Sequence, residues 1–171
     1  VLSGAQLRAQ GIATVADALR SVPGAAVARS GSFGAATSLF LRGGESDYVQ
    51  VLVDGVPVNG PGGAFNFASL SSDNIERIEI VAGPASVLYG SDAVAGVVQI
   101  FTRTGRGADA IEGGVAGGTY HTLKLEAAMQ GSGEYLDYTF SVSRFNTDGS
   151  YLYNNQHRNL VASSRVRVRA D

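Results

Sequence analysis

The chain of 171 residues has no cysteine, no tryptophan, one methionine and two histidines. Without cysteine there are no disulfides and no thiolate metal sites, although that fixes no compartment. His121 and His157 lie far apart among polar residues and read as surface histidines rather than a ligand pair. An excess of one charge is also missing. Thirteen Lys and Arg against 15 Asp and Glu leave a net charge of −2, so nothing in the totals points to nucleic acid. No apolar run approaches the ~18 residues of a membrane helix. No signal peptide is visible at Val1, which leaves the compartment open. Walker, G-x-S-x-G and G-x-G-x-x-G motifs are absent, and no nucleophile–base pair is apparent, so the chain is not expected to be an enzyme.

Glycine is plentiful by contrast, at 23 residues. It indicates turns, tight packing and open loops. Hydrophobic residues make up 44% and mean hydropathy is +0.08, which suits a soluble domain and a membrane barrel alike.

Two textures meet near residue 105. Residues 1–104 carry no lysine and read as mixed α/β. Ser3 is placed to cap a short helix over about residues 4–10, closed by Gly11. Thr14 caps a second helix, with Asp17 three residues on in the manner of a capping box. Val15, Ala18, Leu19 and Val22 follow the spacing of a buried helical face, and Pro23-Gly24 ends it. Strands are expected at 38–42 and 48–53. Asp54-Gly55 between apolar runs is a hairpin signal, because both turn residues need positive φ. Pro57 lacks an N–H, so the returning strand should be an edge strand or very short. Residues 75–104, IERIEIVAGPASVLYGSDAVAGVVQIFTRT, place a strand, a Gly-Pro turn, a short helical turn ending at Tyr89-Gly90, and a second apolar strand. Gly83, Gly90 and Gly96 mark its changes of direction.

Two segments resist regular structure: Ala28–Thr37 and Asn59–Ser69. Both are rich in Gly, Ser and Ala. Phe33, Phe65 and Phe67 are their only large side chains and look poorly placed for a core. Loops on a rigid scaffold are where binding residues concentrate, although ordinary connecting loops fit as well.

From about residue 109 the rhythm is strict alternation. Leu123, Leu125, Ala127 and Met129 alternate with Thr122, Lys124, Glu126 and Ala128. Leu136, Tyr138, Phe140 and Val142 alternate with Asp137, Thr139, Ser141 and Ser143. Val166 and Val168 alternate with Arg165, Arg167 and Arg169. Period two means strands with one apolar and one wet face. Gly131-Ser132-Gly133 reads as a short turn, and 146–158 as a longer polar connection. Such segments, at about ten residues each, fit an outer-membrane barrel or a soluble antiparallel sheet.

Four segments in order, 14–24 (TVADALRSVPG), 39–43 (LFLRG), 51–59 (VLVDGVPVN) and 75–102, together resemble the plug domain of TonB-dependent outer-membrane receptors. They span nearly all of residues 1–104. The LVDGVPVN segment and the loop lengths are most similar to the cobalamin-receptor branch. The resemblance implies an α+β plug domain with a small mixed sheet over 1–104. Over 105–171 it implies the first four or so antiparallel strands of an incomplete transmembrane β-barrel. In this family a barrel of about 22 strands surrounds the plug. The implied activity is energised uptake of a scarce nutrient, a metal chelate such as a siderophore or cobalamin, in the bacterial outer membrane. The implied partners are TonB, through a segment upstream of Val1, the rest of the barrel, and the cargo.

The irregular loops match the family's apical substrate loops, so the resemblance places substrate contact on Ser32, Phe33, Asn59, Phe65, Asn66 and Phe67. It places plug–barrel contact on Arg42, Arg77 and Glu79. The sequence departs from the family at Ala82, where Lys or Arg usually precedes the Gly-Pro pair. The TonB-binding box would lie before Val1. The cobalamin branch binds calcium on an aspartate-rich early barrel loop. The matching stretch 148–158 has one aspartate, which argues against calcium, and no other cofactor is expected. A non-transporting ligand-binding or signalling module with a plug-like fold is the alternative reading.

Overall fold

The computed structural model describes residues 1–105, 108–151, 153 and 155–169. The chain divides into two compact units, Val1–Thr102 and Arg103–Asp171. The first is a small mixed sheet with a few short helices. The second is an antiparallel sheet that does not close into a barrel.

In the first unit, β1 (Leu2–Ser3) leads into α1 (Gly4–Ala9). Ser3 occupies the N-cap position of α1, but its side chain makes no capping bond. It is also the last residue of β1, held extended opposite Arg77. In α2 (Val15–Leu19) the Thr14 cap forms, with both Asp17 bonds made to the Thr14 hydroxyl and none to its backbone N–H. The Asp17 N–H donates to Thr14 Oγ1 at 3.1 Å, and the hydroxyl donates to Asp17 Oδ2 at 2.7 Å. This helix stops at Leu19, well short of Pro23. Its continuation is a pair of tight turns that leave Val22 outside the helix yet packed on the core.

β2 (Ala25–Arg29) and β3 (Thr37–Leu41) form a separate hairpin sheet. The main sheet has the order β1-β6-β7-β4-β5. Here β4 is Val49–Val53, β5 is Val56–Pro57, β6 is Ile75–Ala82 and β7 is Gly96–Thr102. The β4–β7 pair is parallel and the other pairs are antiparallel. Almost every β4 residue is buried, which fits a strand that is apolar but for Gln50. Asp54 (φ 49°) and Gly55 (φ 84°) make the hairpin turn. Pro57 ends an edge strand two residues long. The Asp54 carboxylate also reaches across the sheet. It accepts from the Thr102 N–H at 2.9 Å and the Thr102 hydroxyl at 2.5 Å.

The core lies on one face of this sheet, where Leu7, Val15, Leu19, Leu39, Leu41, Val51, Ile78 and Val98 meet. A smaller cluster joins Leu52, Ala93 and Val97 to Ala85 and Tyr89, beside α3 (Ser86–Tyr89). Gly83 (φ 125°) and Gly90 (φ 95°) take backbone shapes that suit glycine. Gly96 does not. It lies within β7, and a Cβ there would stand 2.5 Å from the Val81 carbonyl oxygen and 2.7 Å from Leu41 Cδ1. It is glycine because the neighbours leave no room.

The second unit is a meander in the order β11-β10-β9-β8. Its strands are β8 (Ala110–Gly118), β9 (Thr122–Ser132), β10 (Leu136–Thr147) and β11 (His157–Val168). Gly131 and Ser132 belong to β9, so the turn falls at 133–135 rather than at 131–133. Arg103 holds Glu112 through two bonds of 2.8 Å at the start of the unit. One sheet face carries Ile111, Val115, Leu123, Leu125, Met129, Phe140 and Val142, all at least 40% exposed. The other carries Lys124, Glu126, Asp137, Thr139, Ser143, Arg165 and Arg167. Asp137 is buried and bonded to Ser132 Oγ and Arg169.

Candidate functional site

The β2–β3 hairpin presents the loop of residues 30–36. Its base is closed by the Ser30 N–H donating to Ala36 O and its tip by the Ala35 N–H donating to Ser32 O. At the tip Phe33 is 44% exposed. Arg29, the last residue of β2, places its guanidinium 5.4 Å from the Phe33 ring centroid. Arg29 is itself held 3.5 Å from Asp17, the acid on the Thr14 cap of α2. The loop aromatic is thus backed by a cation tied to a helix N-terminus. Arg29 was not among the anticipated contacts, because a strand at 25–29 was not anticipated either.

The second loop, residues 59–67, returns from β5. Asn66 ties it to the first. Its Oδ1 accepts from the Thr37 N–H at 3.0 Å, where β3 begins, and from the Ala68 N–H at 3.0 Å, capping a 3-10 turn at Phe67–Ser69. The bases of the two loops are therefore one hydrogen-bonded unit.

The phenylalanines divide. Phe67 is 2% exposed and belongs to the core, with Phe65 packed edge-on against it at 4.7 Å between centroids. The expectation that these rings stand outside the core is corrected: the 3-10 turn folds the loop back over the apolar cluster. Phe33 alone of the three is exposed. Ser32, its neighbour in the chain, is half-buried.

Asn59 sits on β4 rather than at the loop surface. Its Nδ2 donates to Val49 O (2.9 Å) and Gly63 O (2.6 Å). Its Oδ1 accepts from the Val51 N–H (2.7 Å) and Gln50 Nε2 (2.9 Å).

Arg77 and Glu79 pair with one another, Nε to Oε1 at 2.7 Å, on the sheet face away from the main core. The Arg77 guanidinium lies 3.7 Å over the Phe101 ring. Arg42 stands elsewhere, exposed at φ 51° in the turn after β3, with its guanidinium beside Gly83. Among the described residues no group of three His, Asp or Glu is arranged to hold a metal ion. The stretch 148–158 includes Leu152 and Asn154, which lie outside the described residues. No described helix is long and apolar enough to cross a membrane.

Residues 1–97 match the family model described as TonB-dependent Receptor Plug Domain. Over 102 residues, 60% of this chain, the sequence is 40% identical to the Vitamin B12 transporter BtuB of Vibrio vulnificus (strain CMCP6). The chain spans 17% of that relative's length. Among solved structures, the siderophore receptor PiuA of Acinetobacter baumannii superposes with a TM-score of 0.76 at 22% identity, over 95% of this chain and 23% of its own. The FrpB iron transporter of Neisseria meningitidis gives 0.77 at 12% identity, over 97% of this chain and 28% of its own. These relatives are receptors and transporters, not enzymes. Because the family model covers residues 1–97, more than half of its length, the chain belongs to the TonB-dependent receptor plug domain family.

Proposed function

We propose that the chain supplies the plug and first barrel strands of a bacterial outer-membrane receptor, one that takes up a scarce nutrient with energy delivered by TonB. In this reading Val1–Thr102 is the plug that gates the lumen, and β8 to β11 begin the wall. The cargo we assign first is cobalamin, with ferric chelates second. The observation that carries this is the 40% identity over 102 residues to a vitamin B12 transporter. The exposed loop surface around Phe33, with Asn66 at its base, is the ligand-facing part.

Physical chemistry supports the wall. The four-stranded sheet ends in β8 and β11, whose outer edges pair with no strand among the described residues. Unpaired edges are not tolerated in hydrocarbon, so further strands must close the barrel. TonB would engage a segment on the N-terminal side of Val1. Calcium and other cofactors have no part in this proposal.

The test uses the complete gene product. In detergent it should bind cyanocobalamin saturably, and cells carrying it should accumulate the vitamin only with a working TonB protein. Uptake that persists without TonB would remove the energised mechanism. Binding of ferric catecholate with no response to cyanocobalamin would reassign the cargo.

A further inference from the structure

Asn59 uses its whole hydrogen-bonding capacity inside the protein. A primary amide has two N–H donors and an oxygen with two lone pairs. Here both donors and both lone pairs are engaged, by Val49 O, Gly63 O, the Val51 N–H and Gln50 Nε2. Val49 O and the Val51 N–H lie on the edge of β4 that faces β5, where the Val58 N–H also donates to Val51 O. β5 itself covers only Leu52 and Val53. The Asn59 side chain therefore stands where the next residue pair of a longer β5 would be. Val49 and Val51 are 1% and 0% exposed, so no water would replace those bonds.

The fourth partner, Gly63, carries the clamp into the loop. Gly63 is buried at φ 85°, and a Cβ on it would collide with the Asp47 carbonyl oxygen. The Gly60 N–H donates to Ala64 O (2.8 Å) and the Gly63 N–H to Gly60 O (3.1 Å), which makes residues 60–64 a tight turn. One amide thus joins the turn, β4 and the buried Gln50.

We propose that Asn59 is a positioning residue. It closes the free edge of β4 and holds the 60–67 loop in its receiving shape without touching ligand. The clamp stands on geometry alone, while its consequence for ligand rests on the receptor reading above.

The variant Asn59→Asp tests this in the complete gene product in detergent. Ionised, the aspartate keeps its acceptors, loses both donors and faces two carbonyl oxygens. The two carbonyl oxygens disfavour the ionised form, and acidification returns a proton and one donor. The titratable groups on the adjoining 3-10 turn are Asp47 and Tyr48, and wild-type protein carried through both conditions accounts for them. At about pH 7.5, amide exchange protection at Val51, Gly60 and Gly63 should fall about tenfold or more, and cyanocobalamin affinity about tenfold. Amides of β6 and β7 should exchange as in wild type. Both losses should shrink as the pH is lowered toward about 5. If Asn59→Asp fails to fold, Asn59→Ala should lose the same protection equally at both pH values.

Unchanged protection in the variant that folds overturns the clamp. Lost protection with wild-type affinity overturns the positioning role. An affinity loss with intact protection makes Asn59 a direct contact and overturns the proposal. If the wild type does not bind cyanocobalamin, the cargo reading falls, and the exchange pattern with its pH dependence still decides the clamp.

Discussion

Phe33 and Phe67 have the same side chain in similar loops, yet the structure gives them opposite tasks. Phe67 is 2% exposed, so Phe67→Ala removes a core ring and should cost about 3–5 kcal/mol, read as lost exchange protection across the first unit. Phe33 is 44% exposed, so Phe33→Ala should change stability by no more than about 0.5 kcal/mol. In the proposed receptor it should nonetheless weaken cyanocobalamin binding, and undiminished affinity would remove Phe33 from the site. Sequence could not separate these residues. Burial of a loop aromatic depends on where the loop folds back, and that is fixed by Asn66 reaching Thr37, a contact between segments distant in the chain. The same holds for Asn59, whose partners on β4 lie eight or more residues away. Gly96 makes a further residue-scale prediction. Gly96→Ala places a Cβ 2.5 Å from the Val81 carbonyl oxygen, which is backbone and cannot swing aside. A cost of about 1–3 kcal/mol is expected, measured as faster exchange along β6 and β7.

At the scale of elements, local signals were legible and long-range ones were not. The Thr14 cap with Asp17 on its hydroxyl, the Asp54-Gly55 turn and the Gly83-Pro84 break are each written within a few residues, and each forms. By contrast β2 was hidden. Ala25–Arg29 contains one β-branched residue among alanines, and it is a strand because β3 lies alongside it. The end of α2 was misjudged for a related reason. Val22 has helical spacing, but the chain turns after Leu19 to enter β2. Asp54 shows a local signal with a long-range consequence. As a turn residue it needs only to tolerate positive φ, which asparagine also does. As a clip it accepts two bonds from Thr102. Asp54→Asn should therefore keep the turn and cost little, since its amide oxygen can retain the Thr102 N–H. Asp54→Ala loses both bonds and puts alanine at φ 49°, for a total of about 1–2 kcal/mol. Exchange at Thr102 and at the end of β7 distinguishes the two, and equal effects would mean that the clip contributes nothing.

For the whole molecule, the decisive property is the two-faced sheet of the second unit. Strict alternation was readable, but it fits a soluble sheet and a barrel wall equally well. The registered strands add that apolar residues neighbour one another across strands, with Phe140 opposite Met129, Val142 opposite Ala127 and Val115 opposite Leu125. Arg144 and Asn146 interrupt this face at one end. In the proposed receptor that surface meets lipid, while the face with Glu126, Ser141 and Arg165 meets the lumen. The two faces then respond differently to the same charge. Lysine at a lipid-facing position near the bilayer midplane costs about 2–4 kcal/mol, whereas lumen-facing positions stay wet. Leu125→Lys and Phe140→Lys should each reduce the fraction of complete protein that assembles into liposomes of phosphatidylcholine. Ser141→Lys, next to Phe140 in sequence but on the other face, should assemble nearly as wild type. A soluble sheet would show no such asymmetry in liposome assembly, because neither of its faces enters lipid. Equal assembly by all three variants would therefore remove the barrel wall from the proposal, and with it the need for further strands to complete the sheet.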